Sequence, residues 1–215
     1  MTKEAIINFS QLKAEPAWLQ DRRLAAFEQI DQLELPRIEK VRFNRWNLGD
    51  GSLAENEATA NVPDFAALSQ NPKLVQVGSQ TVLEQLSPDL IDKGVVFTDF
   101  ASALETIPEV LEANFGNALP YNEDKLAAYH YAYFNSSAVL YVPDNIEIDQ
   151  PLEGLYYQDS DSDAPFNKHV LVIAGRNSKF SYLERFESIG QAGAKATANI
   201  SVEVIAGAGS QVKFS

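Results

Sequence analysis

With 215 residues, the chain is long enough for one large domain or two modest ones, and its 45% hydrophobic content suits a globular protein with a real core. Its 17 basic and 30 acidic side chains leave a formal net charge of −13, a surface that repels nucleic-acid phosphates and anionic lipid. There is no run of 18 apolar residues to span a membrane, no apolar stretch of an N-terminal signal peptide, and no cysteine for disulfides or thiolate ligands, a combination that favours a cytoplasmic protein.

Residues 15–33 read as a helix with Pro16 in its first turn. Leu19, Ala26, Ile30 and Leu33 share one face, while Arg22, Arg23, Glu28 and Asp31 are expected in solvent, and Leu35-Pro36 ends the helix. The basic cluster Arg37, Lys40, Arg42 and Arg45, interrupted by Glu39, reads as a solvated segment. Residues 44–64 carry Gly49-Asp50-Gly51-Ser52 and Pro63 and read as a loop. Leu74–Val77 is a short strand stopped by Gly78, and Gly94–Thr98 is a second. Ser102 with Glu105 resembles a capping box opening a helix that restarts at Pro108 and stops at Gly116. Asn122 caps a further helix over 123–133 with Leu126, Tyr129, Ala132 and Tyr133 on its apolar face, and Asn135-Ser136-Ser137 is a turn.

From Ala138 the period becomes two. Ile200, Val202 and Val204 alternate with Ser201 and Glu203; Phe180 and Tyr182 alternate with Lys179 and Ser181. The segment 173–182 echoes 205–214 at an offset of 32 residues, and the same step backwards reaches Tyr141–Ile148. A fixed period of this size is the mark of stacked supersecondary units. Polar insertions at 159–165 and 188–196 separate the units. Two hairpins in a β-sandwich use the same turn grammar, but a solenoid gives the offset a reason.

Catalytic motifs are absent. His130 and His169 stand 39 residues apart outside any metal-binding spacing and read as packing or surface residues. There is neither a P-loop nor a Gly-x-Ser-x-Gly elbow. Asp159, Asp161 and Asp163 alternate as in a calcium loop, but Ala164 and Val170 occupy the positions that need Gly and Glu, so a solvated acidic loop is the expectation. Lys179, Glu184 and Arg185 do not by themselves make the clustered site of a solenoid carbohydrate enzyme. The residues thus name no catalytic, cofactor-binding or metal site, and leave a carbohydrate-active enzyme or a stand-alone binding module as the alternatives.

The ordered series Gly94–Phe100, Ala103-Leu104, Pro108-Glu109, Phe115-Gly116, Leu119-Pro120, Asp124–Ala128, Val139–Pro143, Ile148 and Pro151-Leu152 resembles the N-terminal region of the SufB/SufD family, scaffold subunits of the SUF iron–sulfur cluster assembly system. Trp18-Leu19, Arg22 and Leu35-Pro36, together with the lack of cysteine, are similar to its SufD branch. The resemblance implies an α+β N-terminal domain over 1–135, then, over 136–215, the first coils of a mainly-β right-handed parallel β-helix, incomplete at its C-terminus. It further implies a non-catalytic scaffold that positions a SufB-like subunit and a SufC-like ABC ATPase. The fragment itself would bind no cofactor; the transient iron–sulfur cluster would have its ligands outside residues 1–215.

Overall fold

The computed structural model describes residues 2–43, 52–55, 69–190 and 197–215. The expected loop over 44–64, apart from 52–55, lies outside the described residues, as do Arg45 and positions 191–196. The chain is an α+β protein with two mixed sheets.

Its first two helices form a hairpin. Helix α1 (Lys3–Leu12), which the sequence pattern did not announce, is capped by the Thr2 hydroxyl, and α2 (Ala17–Gln29) follows Pro16. Helix α2 is shorter than expected, and its charge pattern is misleading. Arg23 is fully buried, and Arg22 turns inward to donate to the Phe115 carbonyl. The carboxylate of Glu15 pays for the Arg23 burial by taking two of its N–H groups at 2.9 and 2.7 Å, and the Phe134 carbonyl takes a third at 3.0 Å.

Strands β1 (Lys73–Val77) and β2 (Gln80–Gln85) form an antiparallel hairpin that turns at Gly78, where φ is +57°. The short α3 (Pro88–Asp92) leads into β3 (Val96–Thr98). The restart expected at Pro108 is a break into two helices, α4 (Phe100–Thr106) and α5 (Pro108–Asn114), divided where Pro108 can make no helical hydrogen bond. The α4 cap is Asp99, which accepts from the Ser102 amide at 2.9 Å, so Ser102 receives the cap and does not supply it. Asp124, not Asn122, caps α6 (Lys125–Tyr133). Every residue of α6 from Ala127 to Tyr133 is buried, so it has no solvent face to pattern.

Six strands follow: β4 (Ser136–Val142), β5 (Leu152–Asp159), β6 (Phe166–Ala174), β7 (Lys179–Ile189), β8 (Ala198–Ala206) and β9 (Gln211–Phe214). Ser136 and Ser137 open β4 and do not form a turn. The strands alternate between two sheets ordered β2-β1-β5-β7-β9 and β3-β4-β6-β8. Every pairing among β4–β9 is parallel, which rules out a sandwich of antiparallel hairpins. Antiparallel β2 and β3 close the first end of each sheet, so residues before 136 extend the sheets built by those after it.

The 32-residue echo is a hydrogen-bonded register. Val142 faces Ala174, Ala174 faces Ala206, and Lys179 faces Gln211. At each turn the same position adopts a left-handed conformation: Asn145 (φ 62°), Asn177 (φ 55°) and Gly209 (φ 73°). The Asn177 side chain donates to Asn145 Oδ1 at 3.1 Å, and Asp144 accepts from the Arg176 amide and guanidinium one rung on.

One core lies between the sheets, with Leu74, Leu140, Leu152, Val170, Val172 and Tyr182. A second fills the space between the β3-β4-β6-β8 sheet and the helices, with Ile6, Leu19, Phe115, Tyr131, Val139 and Leu171. Covered on both faces, β6 is buried along its whole length, as a parallel strand requires.

Candidate functional site

The alternation in β8 puts the wrong residues inside. Ser201 and Glu203 are buried, whereas Ile200, Val202 and Val204 are 37–40% exposed. The polar row packs against the helices, and the aliphatic row faces the space between the sheets at the end of the stack.

Glu203 is made tolerable there by a dense set of donors. The amides of Gly116, Ala118 and Leu119 reach its two oxygens at 2.9, 2.9 and 3.1 Å. Gly116 (φ +78°) ends the run after α5 and aims these amides inward; a Cβ there would also lie 2.9 Å from Arg22. The Tyr131 hydroxyl donates at 2.9 Å, and His169 Nε2 stands 3.1 Å away. Burial by itself raises the Glu203 pKa, but His169 and the Leu119 and Ala118 amides outweigh it and pull the carboxyl down to about 2.

The two histidines that read as unrelated packing or surface residues are buried and in contact. His130 Nε2 and His169 Nδ1 are 2.9 Å apart, and neither ring is exposed. With Glu203 ionised, a consistent arrangement gives His169 its proton on Nε2, facing the carboxylate. Its Nδ1 then accepts from His130 Nε2–H. Burial, then His169, holds the His130 pKa well below the ordinary histidine value, with Arg23 adding to the effect and Asn199 opposing it.

A second polar group lies inside the sheet stack. Lys168 is fully buried, donates to Gln76 and to Ser136 Oγ, and sits 4.1 Å from the centre of the Tyr156 ring. Burial pushes its pKa well down, against the pull of Glu184 and Asp99. The Tyr156 and Tyr182 hydroxyls meet at 2.8 Å in room left by Gly154, whose missing Cβ would lie 2.5 Å from both. Burial raises Glu184 to about 7, although Tyr182 and Lys168 act in the opposite sense. Lys179 and Arg185, considered with Glu184 from the sequence, instead approach Glu147 and Glu187 at the surface.

The acidic loop differs from expectation at one residue: Asp159 is buried and accepts from the Asp161 amide at 2.9 Å, closing β5, while Asp161 and Asp163 are exposed. Among the described residues no group of three His, Asp or Glu side chains is placed to hold a metal ion. A 240 Å³ cavity beside α1, α2 and α4 is lined by Glu15, Arg23, Asp99, Phe100, Ser136 and Ser137. Its Arg23 is already satisfied by Glu15, and its Lys13 pairs with Glu55 at 2.6 Å. No described helix is long and apolar enough to cross a membrane.

Neither polar network was legible as a site. Glu203 carried only the period-two alternation of its strand, and Lys168 carried no motif. The one available signal was a charged residue inside a strand-forming run: Lys168 ahead of the apolar Val170–Ala174, and Glu203 between Val202 and Val204.

A family model described as "SufBD protein N-terminal region" matches residues 8–153. The chain is 33% identical over 224 residues to the iron–sulfur cluster assembly protein SufD of Bacillus subtilis (strain 168), an alignment covering 99% of this chain and 51% of that protein. It is 23% identical over 202 residues to an iron–sulfur cluster assembly SufBD family protein of Staphylococcus haemolyticus, covering 86% of this chain and 43% of the relative. A Staphylococcus epidermidis SufBD family protein matches with the same identity and coverage. The chain spans about half the length of the curated relatives it matches.

Proposed function

This chain belongs to the SufB/SufD family, and from that premise we propose that it forms the first half of a SufD-like, non-catalytic scaffold subunit in cytoplasmic iron–sulfur cluster assembly. The observation that carries the reading is the SufD relative's 33% identity across 99% of this chain.

The architecture is that of a right-handed parallel β-helix in its opening coils. Its support is the parallel register at 32 residues and the passage of each successive strand to the other sheet; right-handedness follows the strong preference of parallel crossovers. We divide the chain into a predominantly helical unit over 1–135 and a coil unit over 136–215. Limited proteolysis that leaves the 136–215 unit intact supports this division; cleavage within its strands opposes it.

The scaffold positions a SufB-like subunit and a SufC-like ABC ATPase, and the acidic surface suits it to neither nucleic acid nor anionic lipid. The cluster is cargo. A chain without cysteine offers it no thiolate, which supports the reading that its ligands lie outside residues 1–215. Co-purification of the full-length protein with SufB- and SufC-type partners tests the role: recovery of both supports it, and failure to retain either sinks it. The chain itself is expected to show no ATPase activity and to hold no cluster after incubation with iron and sulfide.

A further inference from the structure

Residues 74–124 hold nine acidic side chains and one basic one, Lys93, so most of the net charge of −13 sits on this stretch. Within it, β2, α3, β3 and α4 border a groove of 320 Å³ at the first end of the sheet stack, where β2 and β3 are the outermost strands of the two described sheets. We propose that this groove is a docking site for a basic segment of a partner protein, which buries one large apolar side chain in the groove and sets its flanking Lys and Arg side chains against the acidic rim.

The floor of the groove is apolar and already fixed. Val95 and Phe97 are buried, and Val96 is half-buried between them. Val95 and Phe97 belong to the core between the sheets, and Leu86 packs against that core. Ile91 at the lip is 57% exposed, and Ser102 and Thr106 on the α4 wall are exposed too, so the open side faces solvent. A lone exposed isoleucine is ordinary on a protein surface. One that extends an apolar floor into an open groove supplies the kind of pocket in which an interface anchor is buried. A metabolite site covers most of its ligand, whereas a groove open along one side fits a side chain delivered from another surface.

The charge around the groove selects the partner. Asp89 and Asp92 flank Ile91 on α3, and Glu105 lies between Ser102 and Thr106 on α4; all three are exposed. The Lys93 ammonium is committed to Asp89 at 2.7 Å, and Asp99 is spent on the α4 cap and the Thr81 hydroxyl. The Thr98 hydroxyl donates to one oxygen of Glu84, which orients that exposed carboxylate and leaves its other oxygen to accept from an incoming cation. Such a rim turns away phosphates and acidic surfaces. It steers a basic segment in and sets its register, while the apolar anchor supplies most of the affinity. The groove lies at the opposite end of the stack from the β8 and β9 edge and shares no residue with the Glu203 and Lys168 networks.

Amide NMR on the full chain tests this, with a blocked peptide of about eight residues that carries one leucine among lysines and arginines. Saturable shifts are expected at Ile91, Val96, Ser102 and Thr106, with an affinity that falls several-fold as salt is raised from about 50 to about 300 mM. Serine in place of the leucine should weaken binding about tenfold, and glutamates in place of the basic residues should abolish it. Ile91→Ser should weaken it about tenfold and Glu84→Gln about threefold; both side chains are exposed, so the fold is kept. Asp21→Asn, which takes the same charge from the exposed face of α2 away from the groove, should leave the affinity unchanged. Absence of saturable binding at millimolar peptide, shifts scattered over the acidic surface, equal binding of the serine peptide, parental affinity in I91S, or equal weakening by D21N and E84Q overturns the proposal.

Discussion

A fully buried carboxylate is stable only while its donors stay in place, and Glu203 has them from three amides and a phenol, with the His169 ring 3.1 Å away. Glu203→Gln keeps the shape, removes the charge and sets an amide group against backbone N–H donors. Its expected cost is about 2–4 kcal/mol in a denaturant titration at pH 7. Because the carboxyl is pulled from 4.5 to about 2, the stability it supplies is complete above pH 4.5 and lost as the pH falls toward 2. The E203Q variant should therefore differ less from the parent at pH 2.5 than at pH 7. Glu184 has the opposite sign. Its pKa is raised to about 7, so the folded state holds a proton that the unfolded chain releases, and stability declines as the pH rises from 4.5 through 7. Glu184→Gln should raise the melting temperature at pH 8 and leave it unchanged near pH 4.5; a destabilised variant at pH 8 would contradict this reading of the Lys168 network.

At the scale of the element, the stacked turns decide the register. A Cβ on Gly175 would stand 2.4 Å from the Asp144 amide nitrogen, a backbone atom that cannot step aside. Gly175→Ala should cost about 2 kcal/mol or more by thermal melting, as overpacking against backbone does. At Asn177 the demand is for a left-handed conformation, so Asn177→Gly should stay within about 0.5 kcal/mol of the parent and Asn177→Val should lose more than 1 kcal/mol. This part of the fold was legible because a repeat prints its spacing into the sequence: Ile173 and Ile205 pair as the echo suggests. The helices were less legible for a physical reason. Their apolar faces were readable, but Arg22 and Arg23 serve inward-facing carbonyls and a carboxylate, and α6 is buried beyond its apolar face, so the solvent face that an amphipathic pattern supposes is misplaced in both.

Across the whole molecule, the two ends of the sheet stack differ. Antiparallel β2 and β3 finish one end. At the other, β8 and β9 have no further partner among the described residues and present Ile200, Val202, Val204 and Phe214 at 37–43% exposure. An unpaired apolar strand edge recruits other chains. The 215-residue chain should accordingly bind a hydrophobic dye and self-associate in sedimentation, and Val202→Lys should reduce both without loss of far-ultraviolet dichroism. Glu203 shares a strand with the Ile200, Val202 and Val204 row, and the period-two alternation read there holds but does not say which face is buried, because β8 has helices on one side and the inter-sheet space on the other. The left-handed ladder of Asn145, Asn177 and Gly209 also separates what is fixed in this chain from what is free. Along that border each rung hydrogen-bonds to its predecessor and admits no change in length. Between β5 and β6, the chain crosses at 160–165 with Asp161 and Asp163 in solvent. That crossing is where lineages can add or remove residues, and where a reporter peptide could be spliced in, without shifting any strand out of step.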